Sequence, residues 1–181
     1  PALLAFFCNP MLPCSAADAP FTMTQEVFAD KLILTMEKTK LSSKECQNLG
    51  FKDKEEKGTD YEYDGCTYSL ELRNNSDIDL QNLVVECRFY YEVTESWRAK
   101  KRENTVTRKH MDKSFKIGKL QAQSEHRAEV GPFVLGSRSI PSGYYYDSGG
   151  AEVVESKPKG FWVKVFWTTP GGEKLTADFC E

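Results

Sequence analysis

Four side chains between residues 75 and 86 have the spacing of a calcium-binding loop. Asn75, Asp77 and Asp79 occupy alternate positions, and Glu86 stands at the twelfth position counted from Asn75. A calcium loop of the EF-hand type also needs glycine at its sixth position, where this chain has Leu80. Glu86 moreover falls in an alternating strand pattern that directs its carboxylate to solvent. The stretch therefore predicts a polar hairpin turn between two strands, and neither a metal nor a cofactor is assigned to the chain.

A basic segment, residues 97–119, offers chemistry of another kind. Residues 98–119 contain nine Lys or Arg and two acidic residues, a balance of +7, whereas the rest of the chain has a balance of −10. Clustered cations attract an anionic partner, such as an acidic glycan, a lipopolysaccharide phosphate or nucleic acid. The same charges also suit a solvated hairpin that keeps a strand edge from aggregating, and this second interpretation is favoured. The partner-contact residues assigned in this segment are Trp97, Arg98, Lys100, Lys101, Arg102, Arg108 and Lys109.

Aromatic side chains provide a third candidate site. The cluster consists of Tyr144, Tyr145, Tyr146, Trp162 and Trp167. A row of exposed rings would form a platform for a sugar, whereas the aromatic residues of a β-protein more often fill its core. The three tyrosines and Trp162 are kept as partner-contact residues. A carbohydrate-binding or carbohydrate-active protein is the alternative function that they favour.

The first nineteen residues resemble the end of a secretory signal peptide. An apolar run over residues 2–12 is followed by the small residues Ser15, Ala16, Ala17 and Ala19. We therefore predict a signal-peptide remnant over residues 1–19, a single domain over residues 20–181 and a secreted or periplasmic location. An envelope protein or an anionic glycan is then a more fitting partner than nucleic acid. No other apolar stretch approaches the roughly 20 residues that cross a bilayer, so the rest of the chain is not predicted to span a membrane.

Four cysteines follow the predicted signal segment: Cys46, Cys66, Cys87 and Cys180. An even number of cysteines in an exported chain predicts disulfides, and four cysteines allow three pairings. Pairing of Cys46 with Cys66 is preferred because both flank the loop before a strand, which leaves Cys87 and Cys180 paired or free. A zinc site is disfavoured, since no two cysteines have C-x-x-C spacing and neither histidine lies near one.

Signatures of catalysis are missing from the sequence. It has no G-x-S-x-G elbow, no H-E-x-x-H, no glycine-rich phosphate loop and no C-x-x-C. Neither His110 nor His126 lies in a context that suggests a general base. The chain is therefore predicted not to be an enzyme.

The elements that carry these residues are predicted to be strands. Apolar residues alternate with polar ones over residues 68–72 and 83–92, which places one face of each strand on a core. Further strands are predicted over residues 31–38, 105–108, 114–120, 127–135, 152–155, 160–169 and 174–180. The strand at residues 160–169 is apolar on both faces, which predicts a central position or a cover on its second face. Residues 40–60 are charged and poor in hydrophobic residues, and they are predicted to form a long exposed loop.

Several motifs resemble those of a known class of domain. They are Tyr68-x-Leu70-x-Leu72-x-Asn74-x-Ser76, Leu80-x-x-Leu83-x-Val85, Phe89-Tyr90-Tyr91 and KIGKLQAQS over residues 116–124. This series resembles small bacterial immunoglobulin-like modules of exported envelope proteins, of the cell-adhesion-related and FxLYD type. GYYYDSGG followed by KGFWVKVFW is similar to uncharacterised exported proteins of the Verrucomicrobia and their relatives. The resemblance covers residues 61–181. It implies an antiparallel, immunoglobulin-like (fibronectin III-like) sandwich of about seven to nine strands, and a non-catalytic binding or structural module of the cell envelope.

Overall fold

The computed structural model describes residues 23–51, 58–97, 103–140 and 153–181. The predicted signal segment lies outside these residues. Within them the chain forms α1 (Gln25–Lys31), β1 (Leu32–Leu41), α2 (Ser43–Asn48), β2 (Asp60–Asn74), β3 (Leu80–Ser96), β4 (Thr105–Leu120), β5 (Ser124–Ser139), β6 (Val153–Thr168) and β7 (Lys174–Cys180). Every strand pair is antiparallel. The predicted all-β, antiparallel class is therefore confirmed.

The strands divide into two layers. Their order is β1-β2-β5-β6-β3-β4, with β7 beside β6. The junction between β5 and β6 consists only of Arg138 opposite Val154 and Ser139 opposite Val153. Because this junction is so short, β1, β2 and β5 form a three-stranded layer, and β4, β3, β6 and β7 form a four-stranded layer.

The core lies between these layers and is rich in aromatic rings. Tyr68 of β2 stacks on Phe161 of β6 with ring centroids 3.9 Å apart, and Phe133 of β5 stacks on Phe89 of β3 at 4.9 Å. All four side chains are almost fully buried. Tyr68 and Phe89 belong to the inward halves of β2 and β3, which the alternation in the sequence assigns to the core, whereas Phe133 lies in a stretch of β5 in which three consecutive residues are buried.

Two strands are longer than their sequence patterns predict. β4 joins the two predicted strands at residues 105–108 and 114–120, and β6 joins those at 152–155 and 160–169. Most of β4 is solvent-exposed, so it lacks the apolar alternation that marks a half-buried strand. In β6, Pro158 breaks the pattern, but the strand continues through a register shift opposite Tyr90 and Tyr91. Flanked by β3 and β7, β6 has the predicted central position.

A short helix lies within the segment predicted to be a loop, residues 40–60. β1 extends to Leu41 and α2 follows directly. Ser42 and Glu45 form a capping box, in which the Ser42 Oγ accepts from the Glu45 N–H at 3.3 Å and the Glu45 Oε2 accepts from the Ser42 N–H at 2.7 Å. The S-x-x-E pattern was therefore a helix signal that the charged composition obscured. Residues 52–57 lie outside the described residues.

Helix α1 covers the outer edge of β7. The Gln25 side-chain amide pairs with the backbone of Thr176 in both directions: its Nε2 donates to the Thr176 carbonyl at 2.5 Å, and its Oε1 accepts from the Thr176 N–H at 2.9 Å. Phe28 stacks on Trp167 with ring centroids 5.8 Å apart. One side chain thus occupies backbone groups with which another strand would otherwise pair.

Candidate functional site

The outer face of the four-stranded layer carries a row of chemically varied side chains. The strand registers place four residues side by side, one from each strand: Asp112 of β4, Arg88 of β3, Trp162 of β6 and Cys180 of β7. Since residues directly opposite one another project from the same face of a sheet, these side chains form a continuous strip. The neighbouring row contains Ser114, Glu86, Lys164 and Asp178.

Ion pairs hold the strip in place. Arg88 Nε lies 2.8 Å from Asp112 Oδ1, and Arg88 Nη2 lies 3.5 Å from Asp112 Oδ2. The hydrogen bond from Arg88 lowers the pKa of the Asp112 carboxyl, and the bond to Asp112 raises the pKa of the Arg88 guanidinium. His110 Nε2 lies 3.5 Å from the same carboxylate. Asp112 therefore neutralises part of the positive charge on this face and fixes Arg88 in one orientation.

Trp162 is the aromatic centre of the strip. The Arg88 Cζ lies 5.7 Å from the centroid of its ring, and the Lys164 Nζ lies 5.9 Å from it. Trp162 and Arg88 line a shallow depression of about 280 Å³ together with Glu86, Asp112, Lys113 and Ser114. The depression thus combines an aromatic wall with hydrogen-bonding groups of both charges.

Glu92 ties three strands together near one end of this face. Its Oε2 lies 2.7 Å from Lys159 Nζ on β6, and its Oε1 lies 3.1 Å from Arg108 Nε on β4. The bonds from Lys159 and then Arg108 lower the pKa of the Glu92 carboxyl. Arg108, assigned from the sequence to partner contact, is therefore already engaged by an acid of its own chain.

The exposed lysines of β4 are different. Lys109, Lys113 and Lys116 are solvent-exposed, and among the described residues none of them forms an ion pair. Lys119, by contrast, lies 2.7 Å from Asp79. Beyond β4 the strand order contains no further strand within the described residues, so β4 is an edge strand. Within the described part of the chain, the three lysines thus place unpaired positive charge along the edge of the layer.

The structure separates the predicted partner-contact residues. Arg108 and Lys109 are neighbours on β4, and Trp162 is on β6, on the same outer face as Arg108 by register. Trp97 directly follows β3. Outside the described residues lie Arg98, Lys100, Lys101, Arg102, Tyr144, Tyr145 and Tyr146.

The sequence missed Arg88 and Asp112. Alternation in β3 had placed Arg88 on the solvent face, but nothing in the pattern indicated that Asp112, 24 residues later, lies opposite it. The register of a long hairpin with a basic, weakly patterned second strand cannot be read from periodicity alone.

The proposed aromatic platform does not include Trp167. Trp162 lies on the outer face of β6, whereas Trp167, an odd number of residues later, is buried in the core against Phe28. The two tryptophans therefore cannot form one sugar-binding row.

The stretch with calcium-loop spacing is a polar turn, but it is not a hairpin, because β2 and β3 belong to different layers. Asp77 Oδ1 accepts from Gln123 Nε2 at 3.2 Å. Asp79 accepts from the Ala122 N–H at 2.9 Å and pairs with Lys119. The carboxylates thus bind the neighbouring β4–β5 turn. In the described ranges no group of three His, Cys, Asp or Glu side chains could hold a metal ion.

The expected disulfides are absent from the described residues, where all four cysteines are free thiols. Cys66 points into the core. Cys46 packs on the opposite face of β2, where a Cβ on Gly65 would lie 2.9 Å from its Sγ. The predicted Cys46–Cys66 bridge is therefore wrong, because consecutive residues of a strand point to opposite faces.

The second pair is separated in the same way. Cys87 is buried opposite Val163, whereas exposed Cys180 is opposite Trp162 on the outer face. The alternating pattern of residues 83–92 already predicts that Cys87 points into the core. The sequence does not show which strand lies beside Cys180.

Comparisons with solved structures find distant neighbours of this chain. Neither a known protein family nor a curated protein matches the chain. The Northeast Structural Genomics Consortium target SoR45 is 10% identical, with a TM-score of 0.38 over 84% of this chain and 87% of that one. Spo0M, the sporulation control protein from Bacillus subtilis, is 10% identical, with a TM-score of 0.25 over 68% of this chain and 48% of its own. Likeness at this level carries no argument about function. No helix in the described part of the chain is long and apolar enough to cross a membrane.

Proposed function

We propose that this protein is an exported, non-catalytic binding module of the cell envelope, built as an immunoglobulin-like (fibronectin III-like) sandwich. The division into a β1-β2-β5 layer and a β4-β3-β6-β7 layer supports this type of sandwich. The observation that carries the binding function is the β4 edge, which no other described strand covers, with three lysines that form no ion pair among the described residues. A partner with negative charge fits this surface best.

The ion-paired strip behind β4 supports a rigid mode of recognition. Arg88 is held by Asp112, and Glu92 joins β4 to β3 and β6. A surface whose side chains are already oriented loses little conformational entropy when it binds. Of the three lysines, Lys116 lies on the face of this strip, whereas Lys109 and Lys113 project from the opposite face of β4 and add attraction along its edge.

Export is supported by the apolar run at residues 2–12 and the small residues that follow it. The four free thiols add nothing to this support, since disulfides are what an oxidising compartment favours. Fractionation of cells that produce the chain with its natural upstream sequence tests the location. Recovery in the cytoplasmic fraction would contradict export.

Binding is tested by co-sedimentation of purified protein with envelope fragments of the source organism. The parent protein is expected to sediment with the envelope at low salt and to be released at high salt. The triple variant Lys109→Glu, Lys113→Glu, Lys116→Glu is expected to stay in the supernatant.

The matched control is Lys38→Glu, Lys44→Glu, Lys174→Glu, which makes the same change in net charge at three exposed lysines elsewhere. It is expected to sediment like the parent. Equal behaviour of both triple variants, or no sedimentation of the parent at low salt, would refute a binding function at β4.

A carbohydrate-binding function is the second candidate, and the depression beside Trp162 is the observation that favours it. A ring face next to carboxylate and hydroxyl groups suits a sugar. Two cations already approach that ring, however, and no second ring continues it among the described residues of the row. A glycan array with Trp162→Ala as the control is the test, and an array on which the parent protein binds nothing rules this candidate out.

A further inference from the structure

Within the described residues, β4 is the strand edge best suited to receive another strand. It is 16 residues long and contains no proline, and its register with β3 shows no shift. At about 3.3 Å per residue it presents an edge of roughly 50 Å. Backbone N–H and C=O groups on the outward side of such an edge can pair with an added chain.

The other edges are shorter, blocked or interrupted. β7 has only seven residues, and the Gln25 amide occupies both backbone groups of Thr176. β5 contains Pro132, which has no N–H, at the point where its register with β2 shifts. β1 has ten residues. A strand added to this protein would therefore find its longest regular template at β4.

Charge decides what kind of strand β4 can accept. β4 carries five Lys or Arg residues and one Asp, a net charge of +4 with His110 neutral. A second copy of the protein would place like charges opposite one another, which destabilises strand pairing. An acidic strand would instead place carboxylates opposite Lys109, Lys113 and Lys116.

We propose that β4 binds an extended acidic segment of a partner protein by strand addition, with the backbone edge supplying the hydrogen bonds and these three lysines selecting for Glu or Asp. The inference rests on the proposed function and specifies its partner. Lys109 and Lys113 lie on the same face of β4, four residues apart, and Lys116 lies on the other face. An alternating acidic segment can therefore place its carboxylates opposite Lys109 and Lys113, and an acidic residue on the other face of that segment would lie opposite Lys116.

The probe is a peptide of alternating Thr and Glu, about ten residues long, compared with a matched Thr–Lys peptide and with heparin. The Thr–Glu peptide is expected to bind, to weaken with salt, and to protect the outward β4 amides from hydrogen exchange. The variant Lys109→Glu, Lys113→Glu, Lys116→Glu should lose about tenfold or more in affinity for it. The control Lys38→Glu, Lys44→Glu, Lys174→Glu should bind it like the parent.

Two proline variants separate strand addition from simple charge attraction. Val106 and Thr107 are consecutive, uncharged and exposed, so one of them directs its N–H outward and the other toward β3. Proline removes the backbone N–H, so one of the two variants Val106→Pro and Thr107→Pro loses a hydrogen bond to β3 and the other loses an outward N–H. The variant that keeps the parent's melting temperature is the one that has lost the outward N–H. That variant should bind the Thr–Glu peptide more weakly while binding heparin unchanged.

Each contrary result has a defined meaning. If the Thr–Glu peptide binds without protecting β4 amides, strand addition is overturned. It is also overturned if heparin binds and the proline variant binds the Thr–Glu peptide as tightly as the parent does. Either result identifies a surface that binds by charge alone. No binding of the Thr–Glu peptide also overturns strand addition. If envelope co-sedimentation still depends on the three lysines in that case, the binding function stands and only this partner class is wrong. If the Thr–Glu peptide does not bind and envelope co-sedimentation does not depend on the three lysines, both proposals are refuted.

Discussion

Burial separates the four described cysteines into two chemical kinds. Cys46, Cys66 and Cys87 are buried, and desolvation raises the pKa of each thiol, that of Cys87 to about 12. Cys180 is exposed. Because the thiolate is the reactive form, the buried thiols have neither access nor ionisation to react at neutral pH.

Alkylation followed by peptide mass spectrometry should therefore modify Cys180 first among the four in the native protein. In denaturant without reductant, all four should be modified, since no bridge joins them. A non-reducing digest that yields a linked Cys46–Cys66 peptide would contradict the strand faces described above.

Asn74 is the central residue of the turn that first resembled a metal site. It is 1% exposed, and its Nδ2 donates to the carbonyls of Ile78 at 2.8 Å and Gln121 at 3.0 Å. Its Oδ1 accepts from the Ser76 N–H at 3.0 Å and from the Ser76 Oγ at 2.6 Å. One side chain thereby joins the β2–β3 turn to the β4–β5 turn.

We predict that Asn74→Ala lowers the free energy of unfolding by roughly 3 kcal/mol, because several buried polar groups lose their partner. Asp77→Ala, which removes only an exposed contact with Gln123, should change it by less than about 0.5 kcal/mol. Urea denaturation measures both values. A loss equal in the two variants would show that the turn does not depend on the buried amide.

At the scale of the elements, β4 is held to its layer partly by Glu92. The lowered pKa of this carboxyl means that the folded state favours its ionised form. Its contribution to stability is therefore present above its ordinary pKa of 4.5 and is lost as the pH falls through the lower folded-state value.

We expect Glu92→Gln to destabilise the protein at pH 7 and to lose less further stability than the parent on acidification to pH 3. The measurement is the denaturant midpoint as a function of pH. Glu95→Gln, on the same strand, serves as the control and should follow the parent's curve. A parallel decline of parent and Glu92→Gln would remove Glu92 as a source of the pH dependence.

The predictability of the elements depended on how much of each was buried. The inward residues of β3 gave a clear alternation because half of that strand lies in the core. The bounds of β7, residues 174–180, were predicted correctly for the same reason. β4 was predicted only in pieces, since an exposed edge strand places no apolar pattern on its sequence, and its opposition to β3 depends on contacts between distant residues.

At the scale of the whole molecule, the uneven charge of the sequence becomes a spatial property. The basic segment that composition revealed is largely the edge strand β4, while the acidic balance belongs to the rest of the chain. Lysines along an edge oppose pairing between copies of the same protein. Charge on β4 should therefore keep the protein monomeric.

We predict that Lys109→Thr, Lys113→Thr, Lys116→Thr increases self-association, measured by sedimentation velocity at concentrations where the parent is a monomer. Thr favours strands and removes the repulsion between two β4 edges. Lys38→Thr, Lys44→Thr, Lys174→Thr has the same net charge and should remain monomeric. If both variants associate equally, net charge rather than the β4 edge is responsible.

If β4 binds a strand as proposed, its edge also has a consequence for how the bound segments change over evolutionary time. An edge that binds through backbone groups makes contacts that every amino acid except proline can make. The positions of the acidic residues and the strand propensity of the bound segment would then be under selection, and its other residues would be free to drift. Segments that bind β4 would share a spacing of acidic residues in an extended stretch rather than a fixed sequence.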